Sequence, residues 1–344
     1  MKIHLYDPGY RDAWDDFVMK NDSASCYHLI GWKEIIEKSF GHRTWYLLSR
    51  DNAGSINGIL PLVHLKSILF GSFGISMPFF NYGGICAKDD EARGNLIREA
   101  AIVAGAAGMK HIELRHCDNI LPQMPVKTSK VTMHLQLPAR YEELKASFGT
   151  KLRSQIKRAA KEGMYARFGG LDELNSFYDV FSRNMRDLGT PVYARKFFQN
   201  ILTTFPDTAR ICTVYTKEGI PAASGFLISF KDAIEIPWAS SLRSLNRFGP
   251  NMFLYSTVLE FACREGYRKF DFGRSTPGEG TYKFKEQWGA KPYQLYWHYW
   301  MENGEPIPEI NPHNPKYSLA IKIWQHLPLQ LTKLAGPCVV KNLP

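Results

Sequence analysis

The pattern of apolar and polar residues predicts a mixed order of helices and strands in the first half of the chain. Apolar residues at helical spacing indicate helices over 12–20 and 31–40. Apolar runs then indicate strands over 44–49 and 59–65, separated by the turn-forming sequence DNAGSING. An Ala-rich helix over 91–107 is followed by Gly108, a favourable C-cap residue, and then by the strand KHIELR.

The second half repeats this order. Strands are predicted over 211–215, 223–230 and 233–240, followed by a helix over 251–264, a capping Gly266 and the strand RKFDFG. When Gly108 is placed on Gly266, 158 positions further on, GMKHIEL aligns with GYRKFDF. This coincidence predicts a duplicated α/β (α+β) fold with mixed sheets flanked by helices. The alternative is a chance likeness of two helix–strand units.

Between the halves the sequence predicts a strand over 131–137, a short helix over 141–148 and a basic helix over 151–162. We therefore predict an N-terminal domain over 1–138 and a C-terminal domain over 139–302 that includes the basic helix. A tail with an amphipathic helix is predicted over 303–344.

Composition narrows the class of protein and its partners. The net charge of +10 over 344 residues favours nucleic acid, anionic lipid or a phosphate-bearing substrate. Six scattered cysteines without a CxxC pair are typical of reduced thiols in a cytoplasmic protein. The N-terminal residues lack the apolar core of a signal peptide, and no apolar window is long enough to predict a membrane span.

The sequence lacks the familiar catalytic motifs HExxH, GxSxG, GxxxxGK[ST] and a GxGxxG between a strand and a helix. His111, His116 and Cys117 do not have the spacing of a standard metal site. We therefore infer no metal, no hydrolase triad and no permanently bound cofactor.

The basic helix TKLRSQIKRAAKEG places Arg153, Lys157 and Lys161 on one face, since they recur every four residues. The buried stripe is expected to contain Leu152, Ile156 and Ala160. Glu162 is the only acid, so ion pairs along the helix do not neutralise this face. Such a face suits substrate phosphates, and the alternative is a solvated basic helix.

The segment EIPWASSLRSLNRFGPNMFLY predicts a strand, a polar loop and a helix start. Asn251 is expected at the N-cap. Free N–H groups there, with Arg243 and Arg247 nearby, suit an anion or a carbonyl oxygen, and Trp238 is expected to wall a pocket. The alternative is an ordinary strand–helix loop.

The segment DFGRSTPGEGTYKFKEQWGA begins with Asp271 and Arg274 at a strand end, where open α/β sheets usually expose their sites. Tyr282, Lys283 and Lys285 are expected to be extended, with both lysines on one side. Because no helix is expected after the glycines, we interpret the segment as the rim of a substrate pocket and not as a Walker-type phosphate loop.

The tail carries an amphipathic segment over 317–334. Its apolar residues are Leu319, Ile323, Trp324, Leu327, Leu331 and Leu334, and its lysines are Lys316, Lys322, Lys333 and Lys341. Such a segment either packs on its own protein or lies on a membrane surface.

The motifs KLRxxIKRAxKEG, PNMFLYxxxLEFACREGYRKFDFGRS and GTYKFKxxWGA resemble the Fem-like (FemAB-related) branch of the GNAT acyltransferase superfamily. HLIGWKEIIEKSFGH, LPLVHLKSILFG, FFNYGG, IELR, RDLGTPVYARKFF and EIPWASS are similar to motifs of the Fem-like proteins associated with exosortase/PEP-CTERM exopolysaccharide loci. The resemblance extends from Trp14 to about Trp300. It implies two tandem GNAT-like (acyl-CoA N-acyltransferase) domains.

The resemblance implies an acyltransferase or aminoacyltransferase of peptidyltransferase type, acting on an amine of a cell-envelope or exopolysaccharide-related precursor. The donor is either aminoacyl-tRNA or acyl-CoA. The chain lacks both the long helical arm of the peptidoglycan-bridge members and the acyl-CoA signature R/Q-x-x-G-x-G/A, to which RSLNRFGPN is the nearest stretch. One alternative is an acyl-CoA-dependent N-acyltransferase. The other is a non-catalytic module that binds nucleic acid or a membrane surface.

We expect catalysis from Asp271 as proton acceptor, and from Lys283 and Arg274 as groups that stabilise the oxyanion and the leaving group. Substrate binding is expected from Arg153, Lys157, Trp238, Arg247, Asn251, Tyr282 and Lys285. The expected location is the cytoplasm, with peripheral contact at the inner membrane through the tail helix.

Overall fold

The computed structural model describes residues 2–67, 70–308 and 315–343. The chain divides into two compact units. One comprises Met1–Val131, Gln294–Glu309 and Asn342–Pro344, and the other comprises Thr132–Tyr293 and Ile310–Lys341.

The first unit begins with a strand, two helices and a run of strands. Its elements are β1 (Lys2–Leu5), α1 (Arg11–Lys20), α2 (Gly31–Phe40), β2 (Arg43–Arg50), β3 (Ile56–Ser67), β4 (Gly71–Ile75), β5 (Cys86–Ala87), α3 (Asp90–Ala107), β6 (His111–His116) and β7 (Val126–Lys127).

The second unit alternates strands and helices more regularly. Its elements are β8 (Val131–Gln136), α4 (Tyr141–Ser147), α5 (Thr150–Lys161), β9 (Tyr165–Gly169), α6 (Leu174–Leu188), α7 (Arg195–Thr204), β10 (Ala209–Tyr215), β11 (Pro221–Phe230), β12 (Ala233–Ser241), α8 (Pro250–Arg264), β13 (Lys269–Ser275), α9 (Gly280–Glu286) and β14 (Lys291–Gln294). After β15 (Tyr296–Met301), the chain ends with α10 (Pro315–His326) and α11 (Leu329–Val340).

Each unit has its own mixed sheet. Within the described residues, the first has eight strands in the order β1-β2-β3-β4-β6-β15-β7, with β5 paired to β3. The second, over the same described parts of the chain, has seven strands in the order β14-β8-β13-β12-β11-β10-β9. Neighbouring strands are mostly antiparallel, but β4 and β6 are parallel, as are β12 and β13.

The long helix α3 shows how the sequence pattern positions these elements. Ala92, Leu96, Ala100 and Ala104 recur every four residues and are buried against the first sheet. Gly58 on β3 allows this close approach, because a Cβ there would lie 3.0 Å from Leu96 Cδ1. The helix ends at Gly108, whose φ of 66° lies in the left-handed region that glycine enters without strain.

The duplication predicted from the sequence is confirmed. Helix α3 leads through Gly108 into β6, and α8 leads through Gly266, with φ 80°, into β13. In the first unit β6, which follows α3, pairs in parallel with β4. In the second unit β13, which follows α8, pairs in parallel with β12. The aligned acids Glu113 and Asp271 both lie in these parallel pairs.

Two strands belong to a different sheet from the one that the predicted domain boundaries at 138 and 302 imply. Strand β15 pairs antiparallel with β6 of the first sheet, from Tyr296 opposite His116 to Met301 opposite His111. Strand β8 lies between β14 and β13 of the second sheet. The local pattern identifies both as strands, but it carries no signal for the sheet that each joins.

The tail forms two helices, α10 and α11, which are separated by Leu327 and Pro328. Proline cannot continue a helix from the preceding turn, which explains the interruption. In the described parts of the chain, no helix is both long enough and apolar enough to cross a bilayer.

Glu113 in the first unit is fully engaged by its neighbours. Its Oε1 accepts a hydrogen bond of 2.7 Å from Arg115 Nε, and its Oε2 accepts one from the Tyr299 hydroxyl. Burial alone would raise the pKa of Glu113, but the Arg115 guanidinium and the Tyr299 hydroxyl hold it below its ordinary value. Both carboxylate oxygens of Glu113 are therefore occupied by partners within the protein.

A chain of buried histidines lies beside this ion pair. His116 Nε2 accepts from the Ile85 N–H at 2.9 Å, so its proton is on Nδ1, 3.1 Å from His298 Nδ1. His298 Nε2 in turn donates to Asn119 Oδ1 at 2.9 Å. Both rings are therefore neutral. Burial lowers the pKa of His116 well below its ordinary value and that of His298 to about 4.

We expect the protein to lose stability as the pH falls from about 6.5, the ordinary value of a free histidine, towards the lower values of these buried rings. In this window the unfolded chain binds protons that the folded chain does not, so the free energy of unfolding decreases. Thermal unfolding followed by circular dichroism at a series of pH values measures the effect. His298→Gln should flatten the pH dependence, whereas His326→Gln, on exposed α10, should leave it unchanged. An equal dependence in all three proteins would contradict the assignment.

Candidate functional site

The candidate site lies in the second unit, where the parallel strands β12 and β13 stop pairing. In the described residues of these strands, pairing ends at Glu235 opposite Asp271, although β12 continues to Ser241 and β13 to Ser275. Both acids are buried, with 7% and 5% of their surface exposed. Two neighbouring carboxylates in a buried position require compensation by cations or hydrogen-bond donors.

Three donors surround the Asp271 carboxylate. Its Oδ1 accepts from Thr132 Oγ1 at 2.9 Å and from the Gly273 N–H at 2.7 Å. Its Oδ2 lies 3.2 Å from His134 Nε2. Thr132 and His134 are two residues apart on β8, so they point to the same face of the sheet. The carboxylate is therefore held in one orientation by two strands.

Lys285 provides the cation of this cluster. Its buried Nζ donates to the carbonyl oxygens of Gly273 at 2.9 Å and Arg274 at 2.7 Å. Burial lowers the pKa of Lys285 to about 8, against the opposing attraction of the Asp271 and Glu235 carboxylates. The charge of this amine therefore changes close to neutral pH.

The expectation of an extended segment over 282–285 is wrong, because these residues belong to helix α9, which directly follows the glycine-rich loop. Lys283 and Lys285 are two residues apart, so a helix places them about 200° apart. Lys285 is accordingly buried, whereas Lys283 is exposed and Tyr282 is half-buried. Arg274 is exposed at the end of β13.

The basic helix α5 is exposed along its cationic face. Arg153 and Lys157 line a shallow, open recess between side chains of α5, together with Thr150, Ser154, Arg158 and Lys161. The buried stripe consists of Leu152, Ile156 and Ala159, so the expectation for Ala160 is wrong by one residue. A helix repeats every 3.6 residues, so a spacing of three or four satisfies the same stripe.

A second recess, of about 250 Å³, adjoins the same helix. It is lined by Gln155, Arg158, Ser241, Asn246, Gly249, Pro250, Asn251, Met252 and Phe284. Arg158 belongs to both recesses and donates to the Arg247 carbonyl oxygen at 3.1 Å. Gln155 Oε1 is buried and has no hydrogen-bond partner among the residues that the structure describes. The second recess therefore offers an unused acceptor beside a guanidinium.

The N-cap of α8 is Gly249, and the expectation that Asn251 occupies it is wrong. Pro250 takes the first helical position, which its fixed φ favours, and Asn251 follows inside the first turn. Gly249 has a φ of 79°, and a Cβ there would lie 3.1 Å from the Gln155 carbonyl oxygen. Glycine thus permits the close approach of α5 and the loop before α8.

Trp238 is half-buried in an aromatic cluster. Its ring packs edge-on against Tyr193, Phe197, Phe198 and Phe226 at centroid distances of 5.1–6.0 Å. Its expected role in a pocket wall stays a prediction.

Three residues of the buried cluster were not predicted from the sequence, namely Thr132, His134 and Glu235. Their signal is weak. The alternation in VTMHLQ places Thr132 and His134 on one face, but nothing local indicates that β8 adjoins β13. In the part of the chain that the structure describes, no group of three His, Cys, Asp or Glu side chains is arranged to hold a metal ion.

Two duplicated α/β units, each with a parallel strand pair after a long helix, define a tandem GNAT-like fold, as predicted. Residues 146–286 match the family model described as Acetyltransf_6, an acetyltransferase (GNAT) domain. This match includes α5, β12, α8, β13 and α9, and hence Asp271, Glu235 and Lys285.

Solved structures of the same fold extend over nearly the whole chain. The crystal structure of FemX has a TM-score of 0.69 at 16% identity, covering 93% of this chain and 100% of that chain. A tandem GNAT protein from the clavulanic acid biosynthesis pathway has a TM-score of 0.56 at 10% identity, covering 89% and 99%. L-PGS from Bacillus licheniformis has a TM-score of 0.53 at 12% identity, covering 86% and 96%. No curated protein sequence matches the chain.

We expect Lys285→Met to decrease the free energy of unfolding by about 3 kcal/mol, because it removes a buried and a partly buried hydrogen bond and the cation that attracts two buried acids. Lys283→Met, on the exposed side of the same helix, should change it by less than about 0.5 kcal/mol. Urea unfolding of both variants measures the difference. Equal losses would contradict the helical placement of the two side chains.

Proposed function

We propose that the chain is an N-acyltransferase that moves an acyl or aminoacyl group from a phosphate-bearing donor to an amine. The observation that carries this proposal is the buried cluster of Asp271, Glu235 and Lys285 at the end of the β12–β13 pairing, inside the stretch that matches the acetyltransferase domain. The motif resemblance supports a cell-envelope or exopolysaccharide-related precursor as acceptor, and the cytoplasm as the location.

The basic helix α5 supports a donor with phosphates. Its open recess is lined by Arg153, Lys157 and Lys161. Arg158 lines this recess and also the second recess, at the start of α8. Guanidinium and ammonium groups bind phosphate oxygens through charge-assisted hydrogen bonds. Both aminoacyl-tRNA and acyl-CoA carry such phosphates, so this surface suits either donor.

The reaction requires one bond to form and one to break. The acceptor amine attacks the acyl carbonyl carbon, and the C–O bond of an aminoacyl ester or the C–S bond of a thioester breaks. The amine proton passes to a base, and the leaving oxygen or sulfur gains a proton. Alignment of the two substrates supplies much of the rate by proximity.

Proton acceptance is assigned to the Asp271–His134 pair. Asp271 is engaged by three donors, so the carboxylate orients and stabilises its neighbours. If His134 Nε2 donates to Asp271, its Nδ1 is an acceptor with the orientation fixed by the carboxylate. His134 is only partly buried, with 14% of its side chain exposed. The imidazole then takes the proton and the carboxylate stabilises the resulting cation.

We assign to the cations at the end of β13 the stabilisation of the negative charge that develops during the reaction. Lys285 fixes the carbonyls of Gly273 and Arg274 and balances the two acids. Arg274 and Lys283 are exposed. They stabilise the oxyanion and the leaving group.

A second candidate is an N-acyltransferase that uses acyl-CoA alone. The match of residues 146–286 to an acetyltransferase domain favours this donor. A non-catalytic binding module would use the cations of α5 but would have no need of the buried acids. Donor binding and catalysis therefore require separate tests.

For the donor, we expect either acetyl-CoA or aminoacyl-tRNA to bind saturably in calorimetric titration, with uncharged tRNA as a control. Arg153→Ala with Lys157→Ala should weaken binding by about tenfold per residue, because each removes a charge-assisted contact. Lys196→Ala with Lys217→Ala removes the same charge from exposed positions elsewhere. Equal weakening by both pairs would indicate unspecific attraction and contradict the assigned site.

For catalysis, we expect Asp271→Asn and His134→Gln each to lower kcat by about 10²–10⁴-fold with donor affinity unchanged, since one removes the carboxylate that orients the imidazole and the other removes the proton acceptor itself. Acyl transfer from the donor that binds to a panel of amino sugars and lysine-containing peptides measures the rate. Glu286→Gln, exposed on α9, is the matched control. Full activity of both site variants would exclude the assigned base, and full donor binding without any transfer would favour the binding module.

A further inference from the structure

The two C-terminal helices pack on helix α6 of the second unit through one side each. On α10, Gln325 Nε2 donates to the Asp187 carbonyl oxygen at 3.2 Å. On α11, the inner side consists of Thr332, Gly336 and Val340, which recur every four residues and are buried. A Cβ at Gly336 would lie 2.8 Å from the Val192 backbone nitrogen, so this helix approaches its support closely.

The opposite sides of both helices expose large aliphatic side chains. On α10 the exposed fraction is 61% for Leu319 and 55% for Ile323. On α11 it is 50% for Leu331 and 77% for Leu334. At about 100° per residue, Leu331 and Leu334 lie on the side of α11 opposite its buried stripe. Four exposed aliphatic side chains on two consecutive helices exceed the scattered exposure of ordinary surfaces.

The charge of this segment has one sign. From residue 310 to residue 344 the sequence contains four lysines and no aspartate or glutamate, and of these lysines Lys333 faces α6, with its Nζ 3.9 Å from Asp179 Oδ1. Lys322 is exposed on α10 between Leu319 and Ile323. Lys341 follows α11 and lies at the angular position of Leu334, two turns later. Lysines thus border the aliphatic side chains without acids among them.

We propose that the outer face of α10 and α11, defined by Leu319, Lys322, Ile323, Leu331 and Leu334, docks on the surface of an anionic membrane. Aliphatic side chains that enter the headgroup region and lysines that meet anionic headgroups are the two contributions that hold helices in a membrane interface. Each helix has 12 residues, too few to span a bilayer, so the contact is peripheral.

The same charges disfavour a second copy of the chain as the occupant. A two-fold contact places the same face on both sides, so it would bring lysines against lysines with no acid to compensate them. An anionic lipid surface has the complementary charge. It also accepts aliphatic side chains without a matching pocket.

Sedimentation of the full-length protein with vesicles tests this proposal. We compare vesicles of phosphatidylcholine with vesicles of equal parts phosphatidylcholine and phosphatidylglycerol. The protein should bind the anionic vesicles, and Leu331→Glu with Leu334→Glu should lower the partition coefficient by about tenfold per leucine. Ile102→Glu replaces an equally exposed aliphatic residue on α3 and should leave binding unchanged.

Lys322→Gln should weaken binding to the anionic vesicles several-fold and reduce its sensitivity to salt. Thermal unfolding verifies that each variant is folded, and analytical ultracentrifugation gives its oligomeric state. Absence of vesicle binding, or equal binding by the double variant, would overturn the proposal. A dimer that dissociates in the double variant would also overturn it, since a second copy would then cover the face.

Discussion

The burial of two carboxylates on adjacent parallel strands is the constraint on which the rest of the site depends. Glu235 and Asp271 lie opposite each other at the last paired position of β12 and β13. Their charges cannot remain buried without donors and a cation, which come from two other elements. The donors are Thr132 and His134 of β8, and the cation is Lys285 of α9. These contacts thereby fix the order of the strands and the path of the loop between β13 and α9.

The duplicated fold presents the same acid in two electrostatic states. In the first unit, Arg115 and Tyr299 close around Glu113, and the group serves as a buried structural pair. In the second unit, Asp271 contacts a threonine, a histidine and a backbone amide, and the nearby cation is a lysine whose pKa lies at about 8. A guanidinium keeps its charge far above this pH, whereas this lysine loses its charge only slightly above neutral pH. The two units thus share the same arrangement of helix and strands, and they differ in the cation that lies near the acid.

Local pattern determined most helices and strands but not their partners. Helix α2, the ends of α3 and the C-terminal end of α8 follow from apolar spacing, caps and glycines, which act within a few residues. Helix α9 was not predicted, because its seven residues give less than two turns of periodicity and because the alternation of aromatic and basic residues is typical of a strand. The contacts of His134 with Asp271 join residues 137 positions apart, and such pairs have no local signal.

Strand β15 has a consequence for the order in which the chain folds. It lies between β6 and β7 in the first sheet, yet it follows the strands and helices α4 to α9 of the second unit along the chain. During synthesis, β6 therefore emerges with one edge unpaired and stays so until residues 296–301 leave the ribosome. The inserted unit can complete its own sheet before the first sheet gains its last strands, although α10 and α11, which pack on α6, are synthesised later still. Over that interval the open edge is a point at which chaperones or neighbouring nascent chains can intervene.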